Sequence, residues 1–437
     1  MRMWLIPMIY TTMSCVLGYV LPRLEHTYLP TYSHEMSVSS AIAFFSAVSS
    51  GMMALTGIVF AITFVVVQFS ALAYSPRVVI MFVSNPILYH SLGIFFATFG
   101  YALVALIWTD RGGDGVVPLF STLLVICLLI VSMLAFVLLV QSINDLQIHN
   151  VLHRIGSRGR QVIGSMFPRL GSESDAETRT AAGLTTDLGT ATQTLVYSGK
   201  PLVLARVETN ALARLAQRSS AFIAIECGVG ETLVEDEVLL RVYGASRKLR
   251  ERSLMRAFRL SKVRTFEQDP RYAIRLLVDI AIRALSPAVN DPTTAVQALD
   301  QIEDLLRRLG QRRLGRGYAR DASGTIRVTF PVPTWEDYLE LSFDEIRQFG
   351  ATSVQVVRRL RSALVGLSES ITDEERRSAV LRYLDHLDRS IGRSGFDDYD
   401  RTAALQEDRQ GLGLSRKHPR QAVANGDSPG LFQLPTS

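Results

Sequence analysis

The densest set of chemistry-bearing side chains in the sequence is Asp269, Arg271, Arg275, Asp279, Arg283, Ser286, Asn290, Asp291, Thr294 and Asp300. An enzyme would draw on Asp279, Arg283, Ser286, Asn290, Asp291 and Asp300 for acid–base work, and local structure accounts for most of them without any reaction. Asp269-Pro270 and Asp291-Pro292 each read as an N-cap followed by proline at the first helical position. Arg275, Asp279 and Arg283 are spaced for i,i+4 ion pairs, and Asn290 suits a tight turn. No histidine stands between His153 and His386, no cysteine neighbours a histidine, and no metal-ligand spacing occurs. Catalysis, a metal and a cofactor are therefore not expected. A domain or subunit contact built on the charged stripe is the better expectation.

A second set stands in a stretch without charge. Met36 to Pro76 holds no Asp, Glu, Lys or Arg, and within it Ser49, Thr56, Thr63 and Ser70 recur every seven residues, with Gln68 beside them. Seven residues bring an α-helix to within about 20° of two full turns, so the hydroxyls form one narrow stripe. At about 1.5 Å per residue the stripe climbs about 31 Å, close to the thickness of a hydrocarbon core. Two readings fit it. Hydroxylated and small residues let membrane helices pack closely, which Ser50-x-x-x-Ala54 and Gly57-x-x-x-Ala61 support. Alternatively, several copies of the helix line a pore with hydroxyls. No charge accompanies the stripe, as an ion route usually demands. His90, near the start of a later span, is expected at the interface.

The elements that carry these residues divide the chain in two. Residues 1–140 hold four basic and four acidic side chains, and the remaining 297 hold 42 and 37. One part suits lipid and the other water. Four apolar runs are long enough to cross a bilayer: Met3–Leu21, Ile42–Ala71, Ile87–Trp108 and Val116–Val140. A cleaved signal peptide competes for the first run, but no small-x-small site precedes Pro22, which favours an uncleaved span. Pro22–Ser40 and Asp110–Gly115 then become outer connections. Arg154, Arg158 and Arg160 follow the fourth run against a single Asp145, which puts both termini in the cytosol. The net charge of +5 is mild and mixed in sign, so no nucleic-acid partner is expected. Three unpaired cysteines, Cys15, Cys127 and Cys227, suit a reducing compartment.

In the aqueous part, Gln141–Arg160 is expected to continue the fourth helix, and Ser165–Leu188 reads as a linker. Strands are predicted near Leu202–Val207, Phe222–Ile225 and Val238–Val242, with a short helix from Thr209 to Arg218. This module loosely resembles the barrel-sandwich domains that carry biotin or lipoyl groups. Lys200 lacks the flanking residues of a modified lysine and sits in an ordinary turn, so no attached group is expected. Helices follow over about Pro270–Leu285, Pro292–Leu309, Trp335–Phe349, Ala351–Leu367 and from the capping box Thr372–Glu375 to about Ile391, with a hairpin turn at Asp321–Gly324 before the strand Thr325–Phe330. From Gln410 the chain is unpatterned and expected to be disordered; its basic Ser415–Arg420 could touch anionic lipid, and a solvated tail is the safer reading.

The run Asp-Pro-x-Tyr-x-x-Arg-x-Leu-Val-Asp-Ile-Ala-x-Arg-Ala-Leu-Ser-Pro-x-x-Asn-Asp-Pro-x-Thr-Ala at 269–295, followed by Leu299-Asp300, resembles the signature of a bacterial membrane-protein family, domain of unknown function 2254. Gln68-Phe69-Ser70 and Ser75-Pro76-Arg77 are similar to the same family's pattern. The resemblance covers about residues 1–390. It implies a multi-pass inner-membrane protein with a cytosolic domain, and it names no reaction.

The expected fold is a multi-pass α-helical membrane protein with an α+β cytosolic region. Its parts are a four-helix transmembrane domain (1–140), a helix extension and linker (141–188), a small β-rich barrel-sandwich-like module (189–244), a helical domain with a short hairpin (245–393) and a disordered tail (394–437). Two functions stay open. One is a homo-oligomeric channel or transporter of an unknown solute, with Ser49, Thr56, Thr63, Gln68 and Ser70 lining or packing the path. The other is a membrane-anchored sensor or scaffold whose cytosolic domain binds a protein or small ligand.

Overall fold

In the computed structural model the described residues are 5–28, 37–73, 86–111, 117, 119–144, 147–170, 189–314 and 317–411, without the side chains of 69–73, 111, 143 and 144. The chain forms two compact units, Met1–Val151 and Leu152–Ser437.

The first unit contains α1 (Leu5–Tyr28), α2 (Val38–Ala73), α3 (Pro86–Arg111) and α4 (Leu119–Asn144). All four are long and apolar enough to cross a membrane. Helix α3 is the central one, packing against α1, α2 and α4. Phe45, Phe95 and Tyr101 are fully buried among them. Hydroxyls tie the helices together where apolar contact alone gives no direction: Ser14 Oγ donates to the Ala97 carbonyl at 2.5 Å, and Thr98 and Ser132 share a hydrogen bond of 2.8 Å. The outward side of α4 exposes Ile130, Met133, Leu134 and Leu138, a surface that water penalises and lipid does not.

Pro22 does not open a loop. Helix α1 runs through it to Tyr28, and Glu25, in the extended part, accepts hydrogen bonds from the backbone amides of Phe120 (2.8 Å) and Ser121 (3.3 Å). The carboxylate thus satisfies the exposed amides at the start of α4, where the helix dipole favours negative charge. That tie supplies a reason for α1 to continue past its apolar run.

The division between the units falls within α5 (Ile148–Met166), most of which belongs to the second unit. Helix α4 ends at Asn144 and α5 begins at Ile148; residues 145–146, through which the expected extension would run, lie outside the described residues. Gly159 of α5 admits α8 (Pro270–Ala284) and α9 (Pro292–Gly310) closely: a Cβ there would lie 2.9 Å from Ala273 Cβ and from Leu305 Cδ1.

The rest of the second unit is a mixed α/β region followed by helices. Its strands are β1 (Gln193–Val196), β2 (Leu202–Val207), β3 (Phe222–Ile225), β4 (Thr232–Leu233), β5 (Val238–Tyr243), β6 (Phe258–Ser261), β7 (Tyr318–Arg320) and β8 (Ile326–Thr329). They pair as one sheet in the order β1-β5-β3-β8-β7 and another in the order β4-β2-β6. Among the described residues the sheets close no barrel. The strands also reach beyond residue 244, since β6 pairs with β2, and β8 pairs with β3 in parallel through Ile223 and Val328. A parallel pair needs a long crossover. Here α7 (Glu251–Met255), α8 and α9 lie between the two strands.

Helix α6 (Thr209–Arg218) lies between β2 and β3. Helices α10 (Trp335–Phe349), α11 (Val354–Ser370), α12 (Glu374–Gly392) and α13 (Asp398–Ala404) complete the unit. Thr334 and Asp337 form the capping box of α10, and Asp373 caps α12. Residues 394–411 were expected within a disordered tail. They instead include α13, and Asp408 is buried at 2 % exposure. The reading of Ser415–Arg420 lies outside the described residues.

Candidate small-molecule site

A cavity of about 590 Å³ opens in the second unit. Several helices and strands, with the connections between them, wall it. Met166 and Phe167 close it from the end of α5, Thr209 and Asn210 from the start of α6, and Cys227 and Val229 from the β3–β4 turn. Gln268 to Arg271 contribute the start of α8, Tyr318 comes from β7, and Phe330 to Pro333 lead into α10 with its Tyr338. This mixture of apolar wall and a few convergent polar groups is the usual make-up of a ligand pocket, and its size falls in the range of about 300–1,000 Å³.

Asp269 anchors the polar end. It is 2 % exposed and makes no side-chain cap to α8, contrary to its expected role. Its Oδ2 instead pairs with Arg264, and its Oδ1 stands 3.6 Å from Arg271 Nε. A guanidinium brings a full positive charge to the carboxylate where the helix end offers a partial one, so the arginines win the carboxylate from the helix end. The approach of the β3–β4 turn requires Gly230, at φ +91: a Cβ there would sit 2.5 Å from Asp269 Oδ2 and 2.7 Å from Arg264 Nη2. Arg271 Nη2 donates to the Val229 carbonyl at 2.8 Å. Gln268 Oε1 accepts from the Val207 amide at 3.0 Å, which holds β2 against the start of α8.

Four buried polar atoms around this space have no hydrogen-bond partner: Asp269 Oδ1, Arg271 Nε, Tyr318 Oη and Tyr338 Oη. Burial pushes the Tyr338 phenol well above its ordinary value, with Arg271 opposing the rise and Asp269 adding to it. The phenol stays protonated and can both donate and accept. Burial, with Glu231 next, pushes the Cys227 thiol up to about 12, so it is no nucleophile at neutral pH. Among the described residues no group of His, Cys, Asp or Glu side chains could hold a metal. The arrangement is suited to reversible binding.

The structure separates the other signature residues from the cavity. Arg275 donates to Asp279 Oδ1 (2.6 Å) and grips Glu345 of α10 with two parallel bonds of 2.5 and 2.8 Å. The Arg275 hydrogen bond holds the Glu345 carboxyl below its ordinary range. Arg283 lies exposed at the end of α8, where Ser286 Oγ donates to its carbonyl at 2.7 Å. Asn290 takes φ +48 in the turn that follows. Asp291 caps α9 as expected, accepting from the Thr294 amide at 3.1 Å and its hydroxyl at 2.6 Å. Asp300 accepts from Arg359 Nε at 2.7 Å. Of the signature's polar set only Asp269 and Arg271 line the cavity.

In the first unit Ser49 and Thr56 are buried at 5 % and 4 % exposure, and Thr56 Oγ1 donates to the Met52 carbonyl at 2.6 Å. Thr63 is half-buried with an unpartnered Oγ1, and Gln68 is exposed. The side chain of Ser70 lies outside the described residues. His90 is exposed and hydrogen-bonded to Tyr10 Oη at 3.0 Å. Sequence reasoning missed Tyr318, Tyr338, Arg264 and Glu345. Nothing in their spacing marks them, although the Cys227-Gly-Val-Gly230 turn signals a close backbone approach.

The chain is similar to an uncharacterized protein of Mycobacterium bovis and to one of Mycobacterium tuberculosis. Each is 26 % identical over 415 residues, covering 92 % of this chain and 78 % of the relative. No solved structure matches it. The family model described as predicted membrane protein (DUF2254) matches residues 1–365, which span all four apolar helices, the cavity and the 269–295 signature, and the chain belongs to that family.

Proposed function

We propose that the protein is a membrane-anchored sensor or scaffold: four apolar helices hold it in the bilayer, and its second unit takes up a small molecule in the cavity headed by Asp269 and Arg271. The observation that carries this reading is the two unpartnered buried hydroxyls of Tyr318 and Tyr338 around one space, beside the long ion pair of Asp269 and Arg271. Leaving a buried polar group unpaired costs roughly 1–3 kcal/mol. A fold that keeps two of them around one cavity has a reason to do so when a ligand satisfies them. The positive charge of Arg154, Arg158 and Arg160 supports an inner-membrane orientation with the second unit and both ends in the cytosol. The test is native mass spectrometry of the full-length protein extracted from bacterial membranes, alongside Val332→Trp, which crowds the cavity with an indole. A small molecule retained by the wild type and lost from the variant is the expected result. Identical small-molecule content in the two proteins overturns the reading.

A second reading, a homo-oligomeric channel lined by α2, draws on the unpartnered Thr63 Oγ1 and the exposed Gln68. The burial of Ser49 and Thr56 within one chain favours helix packing instead. Ion flux through liposomes that falls with Thr63→Val supports the channel, and no flux at any voltage or pH removes it.

A further inference from the structure

The polar wall of the cavity has more positive than negative character. Arg264 and Arg271 share the single carboxylate of Asp269, with Arg264 engaging one oxygen and Arg271 3.6 Å from the other. Arg271 donates through Nη2 to a neutral carbonyl, that of Val229, and its Nε has no hydrogen-bond partner. Arg313 brings another cation to the lining. Two helices begin at this same wall, α6 with Thr209 and Asn210 and α8 with Pro270 and Arg271. Both begin without a side-chain cap. Glu208, which precedes α6, pairs with Arg206, and Asp269, which precedes α8, pairs with Arg264. At the start of α6 the amides of Thr209 and Asn210 carry a partial positive charge that an oxyanion completes. At the start of α8 only that of Arg271 does so, since Pro270 has none and the Tyr272 amide donates to the Asp269 carbonyl. Independently of the helix ends, the unpartnered hydroxyls of Tyr338, 0 % exposed, and Tyr318, 7 % exposed, line the cavity.

We propose that the cavity selects an anionic ligand, a compound carrying a phosphate or carboxylate group seated between Arg271 and the uncapped starts of α6 and α8, with Tyr338 and Tyr318 hydrogen-bonding its polar body. The proposal rests on the reading of this cavity as a ligand site. It narrows the chemistry to oxyanions and excludes cations and wholly apolar molecules. The source is either a free metabolite or a lipid headgroup, both of which present the same charged group.

The experiment titrates inorganic phosphate and citrate into the full-length protein in a non-ionic detergent at constant ionic strength, reading the thermal unfolding midpoint. Glucose serves as an uncharged control. A saturable rise with either anion, none with glucose, and an apparent affinity about tenfold or more weaker in Arg271→Gln is the expected result. Tyr338→Phe, which keeps the Arg271 contacts, is expected to fold as the wild type does and to respond to the same anion more weakly. Glycerol 3-phosphate set against a short-chain phosphatidic acid identifies a free metabolite or a headgroup as the source. An equal response of the wild type, Arg271→Gln and Tyr338→Phe, or no response to any anion, overturns the proposal. An uncharged molecule that co-purifies with the wild type and is lost from Val332→Trp refutes the anion while leaving the ligand site standing; identical contents in those two proteins refute both.

Discussion

Replacing Tyr338 by phenylalanine should make the empty protein more stable. Tyr338 is 0 % exposed, and its hydroxyl has no hydrogen-bond partner. Folding strips that hydroxyl of water and returns nothing, at a cost of roughly 1–3 kcal/mol. Phenylalanine keeps the ring and removes the oxygen. The loss is a handful of dispersion contacts at about 0.1–0.2 kcal/mol each, so the net gain is about 1–2 kcal/mol. For a folding unit of 150–250 residues, 1 kcal/mol moves the midpoint by about 2–4 °C. Thermal unfolding of the full-length protein in detergent, after dialysis to remove bound small molecules, should therefore rise by about 2–8 °C in Tyr338→Phe. Near-UV circular dichroism, to which the buried tyrosines contribute, reads the loss of tertiary packing. A fall of the midpoint by a similar amount refutes the reasoning, because it means that the hydroxyl has a partner in the empty state. The same variant loses ligand affinity on the cavity reading, so stability and binding should move in opposite directions, as expected for a site that stores unsatisfied polarity.

Three further outcomes follow from the same structure. The Arg275 hydrogen bond depresses the folded Glu345 pKa below its ordinary value of 4.5, so the stabilisation is full above that pH and is lost as pH falls through the folded value; acid unfolding of Glu345→Gln should be less steep below that pH, and an unchanged slope counts against the pairing. Cys227 is 3 % exposed with its thiol pushed up to about 12, so in a Cys15→Ala, Cys127→Ala background the native protein should react with maleimide orders of magnitude more slowly than a free thiol; stoichiometric labelling within minutes contradicts the burial. Glu25→Ala removes the carboxylate that two amides at the start of α4 donate to and should cost about 1–2 kcal/mol in a detergent unfolding assay; no loss means that the tie does not hold α1 to α4.

The membrane unit was legible because its signal is length and the absence of charge, properties that need no knowledge of neighbours. Helices α8 and α9 were legible through their Asp-Pro openings and their apolar runs. What could not be read was competition between local and distant partners. Asp269 and Asp291 look alike in sequence, each before a proline at a helix start, yet one caps its helix and the other does not. The difference is Arg264, which no spacing rule connects to Asp269. Tyr338 lies on the buried face of an amphipathic helix, where an aromatic ring is ordinary, and only the empty space beside its oxygen singles it out. The pairing of β3 with β8 was likewise hidden, because the intervening helices separate the two strands in sequence. Pro22 misled in the opposite direction, since the tie from Glu25 lies in another helix.

The three uses of the signature share one physical cause. Helix α8 buries Ala273, Ile274, Leu276, Leu277, Ile280 and Ala281, so polar side chains are tolerable only at its start, along one narrow stripe, or past its end. Arg271, Arg275 and Asp279 occupy that stripe at four-residue steps, about 6 Å apart along the axis. Helix α10 runs alongside and presents Tyr338 to the cavity and Glu345 to Arg275. Seven residues of helix, about 10.5 Å, separate those two side chains. The bidentate grip of Arg275 on Glu345 therefore fixes the register in which α10 lies on α8. That register is what keeps Tyr338 at the wall to which Arg271 belongs. The ion pair of Arg275 and Glu345 thus acts as the clamp that holds the binding wall together, and the turn from Ser286 to Asp291 sends the chain back as α9, which packs on α8.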